Sequence, residues 1–222
     1  MKKWPALIVT VTCLCFAGCD NGTGTSGNGT PFTGPTSIEE VIEYLADKKQ
    51  DGSDPYKPVE LAVRISGSEW EQLFDAIIQA DKFVALDLSR CYNVPQEFNS
   101  FNPIATPFAN DKVVSLIFPT GITSIVSDSF HHCTNLRQIT LPVSLTLMHI
   151  SAFYECTGLE LVICHAAESP TFLYIAGAPV PWETDETLFY NTSPNLAIRV
   201  PAASVAAYRT AWPEWADRIS AL

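Results

Sequence analysis

Residues 130–136 read FHHCTNL, and His131, His132 and Cys133 are the residue types that ligate a transition metal. A second chemical candidate is the acidic stretch PVPWETDE at 179–186, which sets Trp182 among Glu183, Asp185 and Glu186. A tryptophan beside carboxylates suits a sugar or a cation. Paired carboxylates also run glycoside hydrolysis when two of them flank a sugar cleft. A third set, Cys91, Cys133 and His149, has the residue types of a cysteine nucleophile with its base. Motifs that would fix an enzyme class are missing from the sequence: there is no G-x-S-x-G, H-E-x-x-H or P-loop. An enzyme is therefore the last of the functional readings, and no catalytic residue, metal or cofactor is expected.

Stepping the chain against itself by 23 residues explains FHHCTNL in another way. Leu116-Ile117-Phe118-Pro119 falls on Ile139-Thr140-Leu141-Pro142, Ile122 on Leu145 and Ile125 on Met148. Phe130, Cys133 and Leu136 fall on Phe153, Cys156 and Leu159, so FHHCTNL has a twin in FYECTGL. The apolar and cysteine positions repeat, whereas His131 and His132 are replaced by Tyr154 and Glu155. A metal site needs converging ligands, but a stacked coil needs only recurring apolar groups. Cysteine serves there as a small buried hydrophobe. The repeat predicts mostly free thiols at Cys91, Cys133, Cys156 and Cys164, although four cysteines in an exported chain also allow two disulfides. His131 and His132 are expected on an exposed or half-exposed turn.

A period of 23 with apolar-x-apolar strands is that of a leucine-rich repeat. The pattern Leu136-x-x-Ile139-x-Leu141-Pro142-x-x-Leu145, then Phe153-x-x-Cys156-x-x-Leu159, resembles the BspA-like leucine-rich repeats of bacterial surface proteins. The tail VPxxSVxxYxxxW at 200–212 resembles the closing segment of the same family. Ser144 stands where the general repeat carries asparagine, so no asparagine ladder is expected. Outside 113–164 the pattern weakens. Phe83–Ser89 reads as an opening strand, and Phe108 stands near a repeat phenylalanine, one residue out of phase. Phe189 follows Phe153 by 36 residues, one period plus an insertion within 165–188. The resemblance implies a binding or adhesion role at the cell envelope.

These elements predict an α/β solenoid: a short leucine-rich-repeat array with an N-terminal α/β cap and a C-terminal helical cap. Ser37 with Glu40, and Ser68 with Glu71, have capping-box spacing. Ile38, Val41, Ile42 and Leu45 share one helical face, as do Trp70, Leu73, Phe74, Ile77 and Ile78. Between them Val59, Leu61, Val63 and Ile65 alternate as a strand. An open solenoid has bare ends, so residues 37–82 are read as one cap and the helical tail, with Trp212 and Trp215, as the other. The array and this tail span 83–222. On each array strand the side chains that point away from the core are Ser115 and Ile117, Gln138 and Thr140, Leu161 and Ile163, and Arg199. They form the main candidate binding face, for a protein or glycan ligand outside the cytoplasm.

The N-terminus supplies an address. Lys2 and Lys3 precede an apolar run from Trp4 to Phe16, too short to span a bilayer. Phe16-Ala17-Gly18-Cys19 resembles the lipobox of bacterial lipoproteins, in which the chain is cut before the cysteine and its sulfur takes a diacylglycerol. An ordinary signal peptide is the alternative. Residues 1–18 are then the signal peptide and 19–36 a Gly/Ser/Thr/Asn-rich tether with Cys19 as the lipidation site. The resemblance implies lipid anchoring at the bacterial envelope, in the outer membrane or at the surface. Asp20 is the residue that retains some lipoproteins at the inner membrane. Net charge is −11 for the whole chain, and −13 once Lys2 and Lys3 are removed. An acidic chain repels phosphate backbones, which excludes nucleic acid as a natural partner.

Overall fold

The computed structural model describes residues 31–48, 52–98, 111–149, 151–173 and 189–222. Cys19, most of the 19–36 tether, Phe108 and the Trp182, Glu183 and Asp185 loop lie outside the described residues. The elements below belong to one compact unit, Thr33–Leu222.

Helix α1 (Ile38–Asp47) starts at Ser37, whose side chain accepts the Glu40 N–H. The capping box expected here is completed one residue early: Glu40 Oε2 accepts the N–H of Thr36 at 2.7 Å, and its hydroxyl at 2.9 Å, rather than the N–H of Ser37. Those bonds hold the Glu40 carboxyl below its usual range. Val41 and Leu45 are fully buried, but Ile42, expected on the same face, is 51% exposed. Helix α1 packs mainly on α2 (Trp70–Ala80), so only part of its apolar stripe meets a partner. The second capping box is corrected from Ser68 and Glu71 to Ser66 and Glu69, on a 3-10 turn at Gly67–Glu69 that leads into α2. Glu69 Oε2 accepts the Ser66 N–H at 2.8 Å. The shift by two residues arises because the chain takes a tight turn before α2 begins, and the box caps that turn. Trp70, Leu73, Phe74 and Ile77 are buried as expected.

The strands form two parallel sheets. The larger contains β1 (Val59–Ala62), β2 (Val84–Asp87), β4 (Val113–Ile117), β6 (Gln138–Leu141), β8 (Leu161–Cys164), β10 (Ala197–Val200) and β11 (Ile219–Ala221). They stand in that order, every pair parallel. The smaller contains β3 (Glu97–Phe98), β5 (Ser124–Ile125), β7 (Leu147–His149) and β9 (Thr171–Leu173). Four successive coils contribute one strand to each sheet, β2 with β3, β4 with β5, β6 with β7 and β8 with β9, which gives a repeating, solenoid-like fold. The 23-residue register is seen directly: Leu116 lies opposite Ile139, and Ile139 opposite Val162. The 36-residue step is seen too, with Val162 opposite Ile198. The second sheet was not anticipated, although Ile122/Leu145 and Ile125/Met148 were its signal; Ile125 pairs with Met148 across β5 and β7.

Buried residues of both sheets join one hydrophobic cluster. Through it runs a column of rings. Trp70 lies 4.7 Å from Phe98, and Phe98, Phe130, Phe153 and Phe189 stack at 5.9, 5.4 and 5.8 Å. Trp215 meets Phe189 edge-on at 5.5 Å. The ring that stacks on Phe130 from the N-terminal side is Phe98, while Phe108 lies outside the described residues.

The tail is only partly helical. Helix α3 (Val205–Ala211) and a 3-10 turn at Pro213–Arg218 are followed by β11, which adds a seventh strand to the large sheet. This corrects the expectation of a wholly helical tail: Ile219–Ala221 pairs in parallel with β10 and buries Ile219. Each of the two outer strands has part of its free edge occupied. On β1, Glu60 C=O accepts the Tyr44 hydroxyl at 3.0 Å, and just beyond it Arg64 N–H donates to Pro35 C=O at 2.9 Å. On β11, Ile219 N–H bonds Ala216 C=O, while Ile219 C=O accepts Arg209 Nη2 at 2.8 Å.

Candidate functional site

Two surfaces collect the polar and chemistry-bearing side chains. The first is the outer face of the large sheet. In a strand, alternate side chains point to opposite faces, and the burial follows: Leu116, Ile139, Val162 and Ile198 are buried while their neighbours are half-buried or exposed. Parallel pairing then sets those neighbours in rows. Ser115, Gln138, Leu161 and Ala197 make one row. Ile117, Thr140, Ile163 and Arg199 make the next. The structure therefore brings together the seven outward residues read from the sequence, all on one side of one sheet.

The rows extend further than the sequence showed. Asp87 of β2 is opposite Ile117, and Ala62 of β1 is opposite Asp87. Glu60 and Ala85 continue the first row, and Ser220 of β11 continues the second beyond Arg199. Burial pushes the Glu60 carboxyl upward. Arg199 is exposed but not loose, because Nη1 donates to Ser220 Oγ at 2.6 Å and to Ala221 C=O at 3.4 Å. Asp87 Oδ1 accepts the Ser89 N–H at 2.8 Å.

The second surface is the turn that carries FHHCTNL. The shared apolar and cysteine positions are buried: Phe130, Cys133 and Leu136 in one coil, Phe153, Cys156 and Leu159 in the next. His131 and His132 are half-exposed, as expected for a turn. The turn recurs in backbone as well as in sequence. His132, Glu155 and Asn191 all have φ between 52° and 57°. Each of the first two sends its N–H to the coil above, His132 to Tyr154 C=O and Glu155 to Tyr190 C=O, both at 2.9 Å. The side chains follow the same ladder. His131 meets Tyr154 at 5.0 Å, and Tyr154 stacks on Tyr190 at 4.9 Å. His132 Nδ1 lies 2.6 Å from Glu155, and His131 Nδ1 lies 3.9 Å from Asp128. Burial and the adjacent His132 lower the His131 pKa, partly offset by Asp128 and Glu155. Glu155 and Tyr190 lie near the Tyr154 phenol, which desolvation already pushes upward.

Among the described residues no group of three or more His, Cys, Asp or Glu side chains could hold a metal ion. Nor do the cysteines have the environment of a nucleophile. Cys91, Cys133, Cys156 and Cys164 are buried free thiols. Burial pushes the Cys91 and Cys164 thiols up, and a hydrogen bond with Cys156 together with burial does so for Cys133. A reactive cysteine needs the opposite shift. The thiols instead serve the backbone: Cys156 Sγ lies 2.9 Å from Phe130 C=O. Ser144 also has a structural task. Its hydroxyl donates to Ile122 C=O at 2.6 Å and accepts the Gly121 N–H at 3.1 Å, joining its coil to the one before.

No helix among the described residues is long and apolar enough to cross a membrane. Residues 105–170 match the family model described as BspA type leucine-rich repeat region, in six copies. No curated protein matches the chain.

Proposed function

We propose that this BspA-type leucine-rich-repeat protein is a protein-recognition module of the bacterial cell envelope, which binds its partner on the outer face of the large sheet. The observation that carries the reading is the row that runs from Ala62 on β1 to Ser220 on β11, whose side chains stay half-buried or exposed while those that alternate with them are buried. Extended faces of this kind are the surfaces that solenoids use for recognition. The repeat family is generally a binding rather than a catalytic scaffold, and the inert cysteines agree with that. Adhesion to a neighbouring cell or host protein is the finer form of this proposal.

The remaining organisation belongs to the same proposal. Residues 1–18 are a signal peptide, Cys19 takes the lipid and 19–36 tether the folded part. Residues 37–82 close one end of the array, and the tail of 83–222 closes the other. Side-chain bonds to the Glu60 and Ile219 carbonyls on the free edges of β1 and β11 support the capping roles, because a bare parallel edge invites another chain to pair. Trp212 and Trp215 are buried in the tail, consistent with closing the core.

Two measurements test the proposal. Intact mass of the protein extracted from its native membrane, with protease added to whole cells, reads the lipid and the exposure together. A diacylated Cys19 with rapid shaving supports surface recognition; a protease-protected protein removes adhesion. Binding is tested against displayed extracellular proteins, with Gln138→Ala and Thr140→Ala as face variants. Undiminished affinity in both variants would move the site off this face. Loss of glycan binding on changing Trp182 would move it to the 179–186 loop.

A further inference from the structure

The charge order along one row points to the chemistry of the partner. This inference rests on the reading of the outer sheet face as the binding face. The row runs Asp87, Ile117, Thr140, Ile163, Arg199 across five consecutive strands. One end is an acid, the other a base, and the centre is two half-buried isoleucines about a threonine. Neither charge is neutralised by an ion pair within the described residues. Arg199 is held by Ser220 and Ala221 through Nη1, which fixes the guanidinium and leaves its other nitrogens for an incoming carboxylate. Glu60, in the neighbouring row, adds a second acid at the acidic end, where its carboxyl is partly desolvated. Arg64, two residues beyond Ala62 on the same outward side, stands in the row on the other flank and is not paired with Asp87.

Dimensions select the kind of occupant. Strands about 4.8 Å apart place Asp87 and Arg199 about 19 Å from each other. Six strand intervals make the whole face about 29 Å long, and three residues of strand make it about 10 Å wide. A standard interface between globular proteins covers about 800 Å² on each partner, so these rows are too narrow to supply one alone. An extended chain fits, since it needs little width. At about 3.3 Å per residue it covers the distance from Asp87 to Arg199 in about six residues. Side chains six apart in an extended chain point the same way, as do the second and fourth between them. Those intermediate side chains fall about 6.6 and 13 Å along, close to Ile117 and Ile163 at about 4.8 and 14 Å.

We propose that this row is a polarised track for an extended peptide segment of the pattern basic-x-apolar-x-apolar-x-acidic, lying across the strands with its basic end at Asp87 and its acidic end at Arg199.

The test uses the purified full chain and three end-blocked fluorescent heptapeptides, read by anisotropy. The first is Lys-Thr-Val-Ser-Val-Thr-Glu; the others carry Lys at both ends or Glu at both ends. The mixed peptide is expected to bind about tenfold tighter than either, from one attraction lost and one repulsion gained. Arg199→Glu is expected to shift the preference to the Lys/Lys peptide, and Asp87→Lys to the Glu/Glu peptide. Both residues lie on the outer face, and thermal melts of each variant check that the fold is kept. Equal binding of the three peptides, no binding of any, or a preference unmoved by both swaps overturns the polarised track. The recognition reading is judged separately: a protein partner lost on Gln138→Ala or Thr140→Ala keeps it alive even if the three peptides bind equally.

Discussion

The column of phenylalanines should be the main internal support of the array, and Phe153 is its best probe. Its ring is fully buried between Phe130 at 5.4 Å and Phe189 at 5.8 Å, tilted by 9° and 21°. Truncating a buried phenylalanine to alanine costs about 3–5 kcal/mol. Two stacked partners, each worth about 0.5–1.5 kcal/mol beyond burial, place Phe153→Ala toward the upper end of that range. With a urea dependence of about 2 kcal/mol/M, the midpoint should fall by about 2 M. Tyr154→Ala, on the half-exposed turn next door, should cost less than about 1.5 kcal/mol. A double-mutant cycle adds position to magnitude. Phe130 and Phe153, in contact, should couple by at least about 0.5 kcal/mol, and Phe98 and Phe189, at opposite ends of the column, by less than about 0.3 kcal/mol. Far-UV circular dichroism follows the whole array, while tryptophan fluorescence includes both ends of the column, Trp70 at one and Trp212 and Trp215 at the other, so the two curves also report whether the array melts as one unit. A loss below about 1.5 kcal/mol for Phe153→Ala, or equal coupling in the two cycles, would refute the column as a support.

Other features give direct tests. Ser144→Ala removes both bonds that join two coils and should cost about 1–2 kcal/mol by urea denaturation. Gly158→Ala drives a methyl group into the Thr134 carbonyl and should cost about 1–3 kcal/mol in the same assay. Arg209→Ala frees the Ile219 carbonyl at the sheet edge, so sedimentation velocity should show concentration-dependent association absent from the parent. The His131 pKa is lowered in the fold, so the unfolded chain takes up the proton first. His131 should have no effect above the unfolded value near 6.5, then destabilise as pH falls through it, until its folded pKa is passed. Urea midpoints of the parent and His131→Asn should therefore diverge less at pH 7.5 than at pH 5.5 once their pH-independent difference is removed, and a constant difference would sink the argument.

Part of this fold is legible in the sequence for a simple reason. Neighbouring coils touch at a fixed offset, so Leu116, Ile139 and Val162 must be alike and evenly spaced. The ends have no such constraint. Leu86 lies opposite Leu116, thirty residues on, with a register shift between Val84 and Ala85, and Leu61 lies opposite Leu86, twenty-five residues on. No single period finds those pairs, which is why Asp87 and Glu60 were missing from the outward set. Strand β11 was hidden because its three residues follow a helical segment and pair with β10 twenty-one residues back. The shorter strands of the small sheet were hidden by length, since β3 and β5 are only two residues each. Helical periodicity identified the correct faces of α1 and α2 but not how much of each would be covered, as Ile42 shows.

The histidine–cysteine stretch illustrates how repetition separates structural from variable chemistry. Where FHHCTNL and FYECTGL share Phe, Cys and Leu, the side chain points inward and its identity is set by the coil above and the coil below. Cysteine suits its position because it is small enough for the stack and its thiol can still meet a turn carbonyl, as Cys156 does with Phe130. Where the two stretches differ, the side chain is on the turn, and only its neighbours along the ladder constrain it. His131 satisfies that constraint by meeting Tyr154 edge-on and Tyr154 by stacking on Tyr190, while His132 Nδ1 approaches the Glu155 carboxylate. The same division applies to the large sheet: Leu116, Ile139, Val162 and Ile198 are interchangeable aliphatic residues, while Ile117, Thr140, Ile163 and Arg199 beside them are not. In a stacked fold the positions released from the repeat are those on which selection for a partner can act, and the outer sheet face contains the longest continuous run of them.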